Sequence, residues 1–233
     1  MTTMTTTMVA PSDIADLWFE LPPGFLEFDL NEDPEARVLR MADAVDALFT
    51  DATAEQKFSL VVSSEYILQT MISAGAEHVS SCLLRMPGDQ LSQGTLFVMI
   101  ERPEAGPRSQ DRRGSATRTA MQWREIYPDA EVGLVMLPYG ISALCIRDQN
   151  LLIPGVLFGL DNPVPATVRQ VQFNVPLKTG PGSALFVFMT QDVEHWDEYL
   201  DMLSGIMKSV STDEPRGQHP SGIGEPPGAG GTE

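Results

Sequence analysis

A Pro-Pro-Gly turn between two apolar-aromatic runs, LWFEL from Leu17 and FLEFDL from Phe25, restricts this chain more than any other feature. Proline fixes φ and offers no amide donor, while glycine opens the left-handed region, so neither a helix nor a central strand can run through Pro22-Pro23-Gly24. The chain must turn there between two segments that both seek a core. Asp33-Pro34-Glu35 follows directly, supplying a helix N-cap, a proline at the first helical position and an acid in the first turn. Leu17 to Leu30 therefore marks the start of the folded domain. Trp18, Phe19, Phe25 and Phe28 are placed to anchor a first strand to a sheet and to cover the first helix.

From Asp33 to about Phe49 the apolar residues Val38, Met41, Ala42, Val45, Leu48 and Phe49 recur at three- and four-residue steps, one helical stripe facing a core. Thr53-Ala54-Glu55-Gln56 reads as a capping box opening a second helix, with Phe58, Val61, Val62, Leu68, Met71 and Ile72 inward and Gly75 as its stop. The period then changes. His78 to Met86, Thr95 to Arg102, Glu131 to Leu137 and Ile141 to Arg147 are short apolar runs bounded by Gly or Pro, as strands are. Pro87-Gly88-Asp89, Pro138-Tyr139-Gly140 and Gly180-Pro181-Gly182 predict hairpins. Val168 to Leu177 alternates polar and apolar residues and predicts a strand with one buried face. Ser183 to Thr190 (SALFVFMT) is apolar almost throughout and predicts a central strand covered on both sides. Ser115 to Tyr127 and Asp192 to about Ser209 predict two further helices, the last with Asp192 as cap and an inward stripe from Trp196 to Val210. Helices on either side of an antiparallel meander imply an α+β fold, an α/β/α sandwich with about six or seven strands in the middle.

One domain over residues 14–211 is the economical reading. The Thr- and Met-rich residues 1–13 and the Gly/Pro-rich residues 212–233 are expected to be disordered tails, because neither can bury enough to offset chain entropy. No apolar run reaches the length of a membrane span, and residues 1–13 carry no Lys or Arg of the kind a secretory signal would have. A cytoplasmic protein is expected. Thirty-two acidic against fifteen basic residues give a formal charge of -17, which repels nucleic-acid backbones and anionic lipid. The two cysteines, Cys82 and Cys145, each lie in a strand-like run and read as buried hydrophobes rather than a disulfide.

Templates for phosphate, dinucleotide, zinc and acyl-transfer chemistry are absent, and His78, His195 and His219 are too dispersed for a metal site, so no cofactor is expected. His195 lies among four acids and two aromatics in DVEHWDEY. It could act as a base, but acids in a first helical turn also favour the macrodipole, and the Trp-Tyr spacing also suits packing. The one basic concentration is RPEAGPRSQDRRGSATRTAMQWR, which holds Arg102, Arg108, Arg112, Arg113, Arg118 and Arg124. Either it docks an acidic or phosphorylated partner or it is a solvated face balancing an acidic domain. Arg108, Arg112, Arg113 and Arg118 are the candidate partner-binding residues.

WFELPPGF, the DPEAR helix start, the central meander and DVEHWDEYLDMLSGIMKSV together resemble a family of uncharacterised actinobacterial proteins, Streptomyces-like in composition, over nearly all of residues 14–211. The element order resembles the Mog1/PsbP sandwich. This resemblance implies a binding or accessory role more often than catalysis, and a setting beside type VII secretion. The expectation is thus a non-enzymatic protein-interaction module, with a small-ligand or lipid binder using an apolar cleft between sheet and helices as the alternative.

Overall fold

The computed structural model describes residues 5–12, 15–51, 53–85, 91–101, 112–178 and 182–212. Two strands open it, β1 (Thr5–Ser12) and β2 (Ala15–Leu21), followed by β3 (Phe25–Glu27), α1 (Pro34–Leu48) and α2 (Ala54–Ser73). Then come β4 (Ala76–Arg85), β5 (Leu91–Glu101), α3 (Arg112–Ile126), β6 (Glu131–Leu137) and β7 (Gly140–Ile153). A short 3-10 turn at Gly155–Phe158 leads into β8 (Val164–Pro176), β9 (Ser183–Thr190) and α4 (Trp196–Ser209). Seven strands form one antiparallel sheet in the order β3-β4-β5-β9-β8-β7-β6.

The α+β sandwich expected from the sequence is present. Asp33 caps α1 through hydrogen bonds from the amides of Glu35 and Ala36, and Thr53 with Gln56 closes the capping box of α2. Gly75 leaves α2 at φ 88°, a conformation that favours glycine. SALFVFMT is the fourth strand of seven, and every residue from Ala184 to Thr190 is buried. The Pro138-Tyr139 hairpin joins β6 to β7, with Leu137 opposite Gly140. The expected turns at Pro87-Gly88-Asp89 and Gly180-Pro181 lie outside the described residues, as do residues 213–233.

One face of the sheet carries α2 and α3, and α1 packs on α2 as an outer layer. The other face carries α4 together with β2. Here the structure corrects the opening segment. Leu17 to Leu21 does not join the main sheet. It pairs with β1 in a separate two-stranded sheet laid over the main one, so Leu17, Phe19 and Leu21 bury fully between the sheet and α4. A bridge between Trp18 and Ser211, with both backbone hydrogen bonds made, ties this hairpin to the end of α4. Thr5–Ser12, expected within a disordered tail, is the partner strand; its threonines and Val9 are residues that suit a pleated ribbon. The second aromatic run supplies β3, an edge strand on β4.

Three further expectations change. From Gln170 onward β8 is buried on both faces, because α3 and the strands beside it enclose its polar side as well. Asn174 there donates to Glu101 and Ser183, at 3.0 and 2.9 Å. α4 begins at Trp196 rather than after Asp192, with His195 at its N-cap. Phe58, expected inward, is 61% exposed, since α2 turns Leu68, Met71 and Ile72 to the sheet and Val61 to α1.

A buried charge pair ties the outer helix to α2. Arg37 of the DPEAR start is 1% exposed, and its guanidinium donates to both oxygens of Glu65 on α2, at 2.9 and 2.7 Å, and to the Glu32 carbonyl at 3.0 Å. Burial pulls the Glu65 carboxyl upward, but the bonds from Arg37 and Gln69 outweigh it and hold the group below its ordinary range.

Candidate functional site

The arginine candidates divide once α3 is placed. Arg108, with Arg102, lies outside the described residues. Arg112 opens the helix and donates from Nη1 to the Tyr139 carbonyl in the β6–β7 turn, at 3.3 Å. The buried Ala116 and Ala120 face the sheet, so Arg118, two residues from each, falls on the outward face. Arg113, Thr117, Met121 and Arg124 share the flank toward β6, where Arg124 Nη2 donates to the Val132 carbonyl at 3.0 Å. Of the nominated arginines, the three that are described, Arg112, Arg113 and Arg118, leave α3 on different sides. Arg124, part of the basic segment but not among the four, is the residue that touches the sheet edge.

That edge is β6. Its pairing to β7 starts at a two-residue hairpin, so Leu137, Val135, Gly133 and Glu131 exchange hydrogen bonds with β7 and the amides of Val132, Leu134 and Met136 point outward. The contact from Arg124 to Val132 O fits this register. Side chains of the same three residues lie on the α3 face, with Leu134 48% and Met136 73% exposed, next to the exposed Met121. Natural edge strands usually carry Lys, Pro or a bulge against unwanted pairing. EVGLVML has none of these. Its missing gatekeepers are the sequence signal that could have identified it.

At one end of the sheet a second constellation forms. The carboxylate of Asp192 accepts from the His195 amide at 3.3 Å and from its Nδ1 at 2.9 Å, and also from Ser92. Desolvation pulls the Asp192 carboxyl upward, but the bonds from Ser92 and His195 prevail and keep it below the usual range. Ser92 in turn bonds the hydroxyl of Tyr199, which is fully buried on α4. The order Tyr199, Ser92, Asp192, His195 sets a carboxylate against the serine where a nucleophile-activating triad sets an imidazole. His78 lies elsewhere, under Phe19 with ring centroids 5.1 Å apart and its Nε2 3.1 Å from Ser80 Oγ. Burial pushes its pKa down to about 4.

Beside Asp192 a cleft of about 720 Å³ opens between α2 and the sheet. Leu60, Ser63, Ser64 and Ile67 of α2 form one wall, and Leu151 and Ile153 at the end of β7 contribute to the other. Nothing in the local sequence marks it, because its residues come from five elements brought together by the sheet order.

Cys82 and Cys145 are free and buried. They sit on β4 and β7, with three strands between them, and burial pushes the Cys82 thiol up to about 12. Among the described residues no three His, Cys, Asp or Glu side chains gather as a metal site, and no helix is long and apolar enough to cross a membrane. No protein-family model matches the chain, and no curated protein matches it.

Proposed function

We propose that this protein is a non-enzymatic docking module that takes up an extended, acidic segment of a partner protein along the outer edge of β6. The observation that carries this reading is the exposed Leu134–Met136 stripe on an edge strand, flanked by the one helix rich in arginine. A strand added to β6 would engage the outward amides of Leu134 and Met136, and its alternate side chains would cover Met121, Leu134 and Met136. Acidic side chains of that strand would reach Arg113 and Arg124. The formal charge of -17 disfavours a second copy of this chain as occupant and leaves the arginine flank as the site where an anionic segment gains.

Two buried, unpaired thiols support a reducing compartment, and a cytoplasmic location belongs to the same proposal. On the resemblance in sequence alone, its setting would be accessory to type VII secretion.

Selection from a displayed random decapeptide library tests the chemistry directly. Expected winners alternate apolar and acidic residues, bind more weakly as salt rises, and lose binding to a Leu134→Lys/Met136→Lys variant. Winners that are basic, or that bind this variant unchanged, would refute the proposal. A salt-dependent dimer abolished by the same variant would instead make the occupant a second copy.

A further inference from the structure

We infer that the cleft between α2 and the sheet is a binding site for a small organic cation with an apolar body, seated with its ammonium group at Asp192. The cleft shares no residue with the β6 edge, so the two readings stand or fall separately.

Its volume of about 720 Å³ lies within the range of small-ligand sites. The floor crosses three adjacent strands: Thr95 on β5, Met189 on β9 and Val168 on β8. Leu60 and Ile67 on α2 face Leu151 and Ile153 across it, which makes the middle apolar. The polar groups gather where β5 begins and β9 ends. Ser92, Gln191 and Asp192 lie together there, because the antiparallel register sets Gly94 opposite Thr190. A ligand fitting both parts needs an apolar body and one polar head.

The sign of the head follows from the lining. Among the described residues that line the cleft, Asp192 is the single charged one, and none is a Lys or Arg that would receive a carboxylate or phosphate. The charge of the whole chain acts in the same direction. Hydrogen bonds from Ser92 and His195 hold the Asp192 carboxylate in place before any ligand arrives. Such fixing removes part of the ordering cost of binding. The hydroxyls and amides around it, on Ser64, Gln93 and Gln191, suit the N–H groups of an amine.

Calorimetry with three eight-carbon probes, 1-octylamine, octanoate and 1-octanol, tests the assignment on the full chain at neutral pH. The wild type should bind octylammonium at least about ten-fold more tightly than either other probe, a difference of about 1.4 kcal/mol. Asp192→Asn should erase that preference while keeping weak binding of 1-octanol. Ser64→Trp, a partly exposed position on the α2 wall, should fill the cleft and abolish binding of all three. Equal affinity for octanoate, a preference for the amine that survives in Asp192→Asn, or no binding by any probe would each overturn the inference.

Discussion

Single residues show how strongly this fold depends on buried polar groups. His78 has its pKa lowered to about 4 from an ordinary 6.5, so above pH 6.5 it is neutral in both folded and unfolded chains and contributes no pH dependence. As pH falls from 6.5 toward 4 the unfolded chain takes up a proton that the folded one refuses. Stability should drop by about 3 kcal/mol across that window from this group alone. Urea midpoints for wild type and His78→Gln at pH 7.5 and 4.5 should show the variant losing less, by about that amount. Arg37 is a second case. Arg37→Met strands the Glu65 carboxylate and should cost about 3 kcal/mol, whereas Arg37→Met/Glu65→Met should recover most of it, a difference readable in denaturant melts. DPEAR was legible as a helix start, but the arginine's partner, 28 residues on, was not.

At the scale of elements, capping and periodicity read well. α1 and α2 start where Asp33 and Thr53 said they would, because N-caps are local chemistry. α4 did not, because Asp192 found Ser92 and the His195 ring as well as the amide a cap would bond. The apolar run of β9 was enough to place it centrally, while β8 looked half-exposed until α3 covered its glutamines. Strand β6 makes a sharp prediction. In hydrogen exchange the amides of Gly133 and Val135, bonded to β7, should be protected, and those of Leu134 and Met136 should exchange far faster. An acidic peptide that docks on this edge should slow the second pair. Alternating protection in the opposite phase would show a different register.

At the scale of the whole molecule, the opening segment closes one face of the sandwich. Phe19 is fully buried, edge-on to both His78 and Phe186, so Phe19→Ala should cost about 3 to 4 kcal/mol and let water reach the imidazole. An NMR titration should then show the His78 pKa rising from about 4 toward 6.5; an unmoved value would mean that the strands of the sheet, not the hairpin, keep the ring dry. The sequence by itself determined the α+β class, the capped helices, the central strand and the turn at Pro22-Pro23-Gly24, since periods, caps and turn residues act within a few positions of themselves. Tertiary structure decided that the aromatic run before this turn lies across the sheet instead of within it. It also decided that Arg37 meets Glu65, that Ser92 meets Asp192, and that β6 is the edge strand of the sheet among the described residues. Those outcomes depend on which element lies next to which and what covers it, and tertiary packing joins residues from 28 to a hundred positions apart that no local pattern connects.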